Sequence, residues 1–248
     1  MELTHGSVFA GFGGLDLGFE RAGFKPIWCV EINNYARQVL DQHWPAIPKF
    51  RDITTCGRHN LVVPTVITGG FPCQDVSYVG TGKGLTGERS GLWYEMLRVV
   101  SELRPHFLVV ENTAALLFRG MGCVLGGLSE IGYDAEWEVL SAEAFGAPHE
   151  RERTFIVAYP THLSGLQTCP RLVSDRSQAL AWHDNHQLRW AEMASTDWKI
   201  PESYTIGAID GIPRRVDRAK ALGNAVVPQI AEAIGKMIRS VEQFYGQP

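Results

Sequence analysis

The chain has no run of about 18 apolar residues, so no membrane-spanning helix is expected. Its first residues, Met1-Glu-Leu-Thr-His-Gly6, hold neither a basic region nor an apolar core, and no signal peptide is expected from them. Cysteine is sparse. Five residues at irregular spacing make no disulfide framework and suit a reducing cytoplasm. Cys56-Gly-Arg-His59 could be half of a zinc site, but no second pair accompanies it and no metal is expected. Repeats and low-complexity stretches are missing too. An excess of basic charge is also lacking: the formal net charge of −4 argues mildly against a surface built for nucleic acid. Net charge averages the whole surface, however, and one cleft can differ. Arg214, Arg215, Arg218 and Lys220 cluster towards the C-terminus, and Arg151 and Arg153 precede an apolar run. Either cluster suits phosphates or a solvated face.

What remains is ordinary for a globular protein. The 248 residues, 45% apolar and 20% charged, suffice for one large α/β domain or one domain with a small insertion. Short apolar runs at residues 7–10, 26–31, 65–68, 107–110 and 155–158 read as strands. Between them, residues 15–22, 35–43, 92–103 and 124–131 carry helical spacing. That alternation predicts a doubly wound α/β domain, its mostly parallel sheet covered on both faces. Residues 161–212 are polar and irregular, with Trp182, Trp190 and Trp198 scattered through them, and read as a small appended segment. A helix-like pattern resumes from Asp217 and runs to Ile238.

Chemistry gathers where strands are expected to end. Gly69-Gly-Phe-Pro-Cys-Gln74 follows an apolar run, and its turn presents one thiol, Cys73. Pro72 fixes the backbone beside it. The thiol is a candidate nucleophile or a small buried hydrophobe. Phe9-Ala-Gly-Phe-Gly-Gly14 sits at a strand-to-helix junction where glycines let a ligand approach the backbone. A dinucleotide fingerprint needs a third glycine where Asp16 stands, so NAD fits poorly. Glu31 ends the second strand, where an acid suits ribose hydroxyls, and Asp52 could meet an adenine amino group. A nucleoside cofactor without pyrophosphate fits this set, as does a plain turn with two surface acids. Glu111 lies at the carboxyl end of its strand, where open α/β sheets bind ligands. Arg151 and Arg153, two apart, share one face of an entering strand. They suit a base edge or phosphates, or ion pairs with Glu150 and Glu152.

Taken in order, these motifs resemble the cytosine-5 DNA methyltransferase family. The resemblance rests on Phe9-Ala-Gly-Phe-Gly-Gly14, Glu31, Asp52, Gly70-Phe-Pro-Cys-Gln74, Glu111-Asn-Thr113, Arg151-Glu-Arg153 and Gly223-Asn-Ala-Val-Val-Pro228. These span nearly the whole chain except residues 161–212. Thr113 stands where the family commonly has Val, and His149 where it commonly has Gln. The segment before the last motif is also shorter than is usual in the family.

The resemblance implies a class I, Rossmann-like S-adenosylmethionine-dependent fold formed by residues 1–160 and 213–248, with 161–212 as target-recognition segment. It implies S-adenosylmethionine held by Phe9, Gly11, Gly13, Gly14, Glu31, Ile32, Asp52, Ile53 and Asn224, the last on a C-terminal stretch returning beside the first motif. The implied catalytic set is Cys73, Glu111, Arg151 and Arg153. Cys73 would add to C6 of a flipped-out cytosine, because C5 alone is a poor nucleophile, and Glu111 would stabilise the charge that builds on the ring. Gln74, Ser77, Lys83, Arg89 and Asn112 would meet the substrate, with residues 75–91 closing over it. Arg171, Arg176 and Arg189 would read the target in the major groove. Double-stranded DNA is the implied partner, with a cognate restriction endonuclease acting separately. The expected protein is a monomer, off the membrane, in the cytoplasm of a bacterial or phage-infected cell and on the nucleoid when bound to DNA. Transfer to RNA, or a DNA-binding relic without turnover, are the alternatives left open by sequence.

Overall fold

A computed structural model describes residues 2–72, 91–147, 151–163 and 226–245. Seven strands form one sheet in the order β3-β2-β1-β4-β5-β7-β6. They are β1 (Thr4–Val8), β2 (Lys25–Val30), β3 (Lys49–Phe50), β4 (Val66–Gly69), β5 (Phe107–Thr113), β6 (Tyr133–Ser141) and β7 (Glu152–Pro160). Among the described residues the α-helices are α1 (Gly14–Arg21), α2 (Asn34–His43), α3 (Gly91–Leu103), α4 (Leu116–Arg119), α5 (Met121–Glu130) and α6 (Pro228–Tyr245). β1 to β5 pair in parallel, whereas β7 runs antiparallel to both of its neighbours. The reversal follows from chain length. Only ten residues separate β6 from β7, enough for an antiparallel return but not for a parallel crossover.

Side-chain alternation explains the two helix layers. On β5, Leu108 and Val110 face a core that includes Met96, Val100 and Leu128 of α3 and α5. Phe107 and Val109 face the other core, with Phe19 of α1 and Ile230, Ile234 and Ile238 of α6. Small residues set the closeness of α1 and α6: a Cβ on Gly18 would come within 2.4 Å of Ala231, and one on Gly235 within 2.7 Å of Ala22. The C-terminal helix therefore lies directly on the helix that follows the glycine loop.

The doubly wound expectation holds, with differences in detail, among them the short edge strand β3, which was not expected. β1 begins at Thr4, ahead of the expected start at Ser7, because Thr4 and buried His5 hide its first half behind polar residues. β6 was not expected at all, although Tyr133, Ala135, Trp137 and Val139 alternate with Asp134, Glu136 and Glu138. That two-residue period marks a half-exposed strand, and β6 lies at the sheet edge. Residues 164–225, with most of the expected recognition segment, Arg171, Arg176, Arg189 and Asn224, lie outside the described residues.

Candidate active site

The glycine loop leaves β1 in an unusual conformation. Phe9 and Gly11 both adopt left-handed φ, 55° and 56°, and Gly13 follows at 80° as α1 begins. A phenylalanine in that region costs on the order of 1 kcal/mol or more, which its surroundings must offset. Two contacts do so locally: Ala10 N–H donates to Val30 O at 3.1 Å, and Gly13 N–H to Ala10 O at 2.9 Å. The curled backbone then grips an acid. Gly11 N–H donates to Glu31 Oε2 and Asn33 N–H donates to Glu31 Oε1, each at 2.7 Å. Glu31 is thus locked at the end of β2 with acceptor capacity left on both oxygens.

Beside it opens a cavity of about 320 Å³. Phe9, Gly11, Gly14, Glu31, Ile32, Asp52 and Ile53 line it, and so do Phe12, Arg51, Gly70, Pro72, Glu111 and Val226. Asp52 caps a 3-10 turn, Ile53–Thr55, by accepting from Thr54 N–H and Thr54 Oγ1–H. Those two bonds hold its carboxyl below the usual carboxylate range. Gly13 is not among the lining residues. A Cβ there would stand 2.5 Å from the Trp44 ring, so this glycine lets the loop pack on α2's end. Gly14 has the same relation to the C-terminal stretch: its Cβ would meet Val226 O at 2.4 Å. Val226 lies two residues from Asn224, itself outside the described residues.

At the cavity's other end sits Glu111, 8% exposed, near the carboxyl end of β5. The antiparallel register sets Thr113 opposite Arg153. Arg153 Nε reaches back to Glu111 Oε1 at 3.0 Å. Burial pushes the Glu111 carboxyl up, against the pull of Arg153 and Arg151. Desolvation in turn lowers the Arg151 guanidinium, with Arg153 adding to the fall. The cluster is one buried carboxyl beside two partly buried guanidiniums.

The turn that leads to Cys73 is built against this carboxyl. Gly70 passes so close that a Cβ would lie 2.8 Å from Glu111 Oε2. Asn112 Nδ2–H donates to Phe71 O at 3.0 Å, and Asn112 Oδ1 accepts from Thr113 N–H at 2.8 Å. Asn112 is therefore engaged within the protein, bracing the turn from β5. Cys73, Gln74, Ser77, Lys83, Arg89 and His149 lie outside the described residues. Pro72, one residue before the thiol, lines the same cavity as Glu31. Cys56 has a different position: its thiol is buried and donates to Asp52 O.

Residues 3–169 match the family model described as C-5 cytosine-specific DNA methylase. The chain belongs to that family. Among similar proteins, Type II methyltransferase M.BsuFI of Bacillus subtilis is 33% identical over 223 residues, covering 88% of this chain and 53% of the relative. Type II methyltransferase M.NgoFVII of Neisseria gonorrhoeae is 33% identical over 157 residues, 61% of this chain and 42% of its own. The chain spans about half the length of the curated relatives it matches. Among solved structures, a prophage-encoded E. coli protein described as a DNA modification methyltransferase superposes with a TM-score of 0.55 at 27% identity, over 65% of this chain and 48% of that one. The Dnmt2 methyltransferase of S. pombe shares the fold at the same TM-score, 20% identity, and 64% and 51% coverage. The fold is thus the Rossmann-like class I methyltransferase fold.

Four buried polar residues near the family's glycine loop escaped the sequence reading: His5, Ser7, Asp16 and Thr68. Three of them are polar residues within apolar strands, which periodicity cannot assign, and Asp16 on α1 read only as a break in a glycine fingerprint.

Proposed function

We propose that the protein transfers a methyl group from S-adenosylmethionine to C5 of a cytosine flipped out of double-stranded DNA. The observation that carries this is one shared cavity, with Glu31 and Asp52 at one end and Gly70, Pro72 and Glu111 at the other. A nucleoside cofactor fits the first end. Glu31 offers fixed acceptors for ribose hydroxyls, Asp52 an acceptor for an amino group, and among the described residues no atom lies within 4 Å of where a Cβ on Gly11 would point. Bound there, S-adenosylmethionine supplies an electrophilic methyl group carried on a sulfonium.

The chain's own groups do the rest. The Cys73 thiolate adds to C6, the C5–C6 double bond gives its electrons to the ring, and C5 becomes nucleophilic. Glu111 meets the N3 edge, where the added electrons accumulate, and supplies a proton there. Its raised pKa makes the proton easier to hold, and Arg153 fixes the carboxyl's direction. After transfer the C5 proton leaves to a base, the C6–S bond breaks, the N3 proton goes back to Glu111, and the thiolate returns. Arg171, Arg176 and Arg189 would read the target sequence through the major groove. DNA carrying 5-fluorocytosine at the target should give a cofactor-dependent protein–DNA adduct that survives denaturation, since C5 then has no proton to lose. Absence of an adduct at a site methylated in ordinary DNA would remove the covalent step.

Two further outcomes follow from the geometry. Glu31→Ala should weaken cofactor binding by about 1.5–3 kcal/mol, or one to two decades in Kd, more than it slows transfer. Calorimetric titration with an unchanged Kd would take Glu31 out of the ribose site. Gly70→Ala should lower turnover about 10- to 100-fold with little change in Tm, because its methyl must displace a carboxylate held by Arg153. Wild-type turnover in this variant would mean that Glu111 can work from another position.

A further inference from the structure

Asp52, proposed to meet the cofactor's amino group, stands on a slight mount. It follows β3, a strand of two residues at the sheet edge that pairs with β2. After it comes a single 3-10 turn, Ile53–Thr55. Two backbone bonds close this turn: Thr55 N–H donates to Asp52 O at 3.1 Å, and Cys56 N–H to Ile53 O at 3.0 Å. A lone turn of this kind is a weak element, and a site residue needs firm support from behind. That support comes from α3.

The guanidinium of Arg98 makes the link. Arg98 Nη2–H donates to Ile53 O at 3.1 Å and to Cys56 O at 2.9 Å, partners 45 and 42 residues earlier in the chain. Its other nitrogens are engaged on α3 itself. Nε–H donates to Glu95 Oε2 at 2.8 Å and Nη1–H to Glu102 Oε1 at 2.7 Å, one helical turn to either side. The second Glu102 oxygen, Oε2, accepts from Arg58 N–H at 3.0 Å. Gly57 makes room for this: a Cβ there would collide with Glu102 Oε2 and stand 3.3 Å from Arg98 Nη1. Residues 53–58 thus wrap round one ion-pair cluster, with glycine where the approach is closest.

We propose that Arg98 is a positioning residue for the cofactor's base: it fixes the turn that begins at Asp52, and through it the carboxylate that selects a purine amino group. Arg98 itself does not line the cavity, whereas Asp52 and Ile53 do. Asp52 Oδ1 accepts from Thr54 N–H and Thr54 Oγ1–H, so the carboxylate takes its direction from the turn and moves with it. A guanidinium suits the task because its planar fork holds two carbonyls and two carboxylates at once, each in a set direction. An ammonium at this position keeps the charge and loses the fork.

The same helix serves the cavity's other end. Leu92, in the first turn of α3, lines the cavity. Trp93 packs on the ring of Phe71, centroids 5.2 Å apart, and Phe71 lies between the lining residues Gly70 and Pro72. Arg98 therefore does for the Asp52 turn what Trp93 does for the turn that leads to Cys73. One helix sets the spacing between the two.

The inference rests on the cofactor reading of the cavity, and the test separates the two. The probes are S-adenosylhomocysteine and S-inosylhomocysteine, which present to Asp52 an amino donor and an oxo acceptor respectively. The wild type should bind the amino probe about 10-fold tighter or more. Arg98→Lys should lose about 10-fold in S-adenosylhomocysteine affinity and little in S-inosylhomocysteine affinity, so that discrimination collapses. Its KM for S-adenosylmethionine should rise by a similar factor, with kcat at saturation within a few-fold of wild type. Equal losses on both probes would make Arg98 a general support of the fold, and unchanged affinities would make it an idle surface pair; either overturns the proposal. Gly57→Ala, whose methyl displaces Glu102, should show the same selective loss and serves if Arg98→Lys does not fold. Amide exchange at Thr54, Thr55 and Cys56 needs no ligand. It should be about 10-fold faster in either variant than in the wild type, with β1 unchanged, and unaltered exchange would overturn the proposal. A wild type that binds both probes equally, or neither, would instead sink the cofactor reading, and amide exchange would still decide whether Arg98 holds the turn.

Discussion

Cys73→Ser should lower methyl transfer on the order of 10³-fold or more, while cofactor affinity stays within a few-fold of wild type. A cysteine near its ordinary pKa is a few per cent thiolate at neutral pH, whereas a serine hydroxyl is scarcely ionised and far less nucleophilic. The groups proposed to hold the cofactor are elsewhere. Glu31 is fixed by Gly11 and Asn33, and Asp52 by Thr54. Single-turnover transfer from labelled cofactor, set beside calorimetric Kd values, separates the two effects. Substantial transfer by the serine variant would sink covalent catalysis at this position.

Glu111→Gln carries the second large effect, a fall of about 10²- to 10³-fold in kcat. Glutamine keeps the shape and can still donate from its amide, but it gives no proton and loses the ion pair with Arg153. Arg153 is 20% exposed, so its charge would remain partly desolvated and uncompensated. The pH profile adds a sign. If neutral Glu111 is the working form, wild-type kcat should fall as pH rises through its raised folded value, and this limb should vanish in the glutamine variant. A glutamine variant within about 3-fold of wild-type kcat would assign the proton to another group.

Much of this site was legible because its residues sit at strand ends next to glycines, and sequence spacing reports strand ends well. Phe9, Gly11, Gly14, Glu31, Ile32, Asp52, Ile53 and Glu111 all reach one cavity from four separate stretches of chain. Motif membership did not reveal what each residue does there. Gly13 faces Trp44 instead of the cavity, since successive loop residues point their Cα–H bonds in different directions. Asn112 braces Phe71 O, a contact 41 residues away in sequence. The buried polar contacts were hardest to see. His5 and Thr68 meet across 63 residues, and each alone reads as a break in an apolar strand. Edge strand β6 did carry a two-residue period, but its three acids masked it.

The central claim is transfer to C5 of cytosine in DNA, and nucleoside analysis tests it most directly. The protein is incubated with labelled S-adenosylmethionine and either duplex DNA or total RNA. Each polymer is then digested to nucleosides and separated by mass. Label in 5-methyldeoxycytidine from duplex DNA, and none from RNA or from DNA treated with Cys73→Ser, is the predicted result. Label found only in RNA, or on an exocyclic nitrogen of the DNA bases, would contradict it.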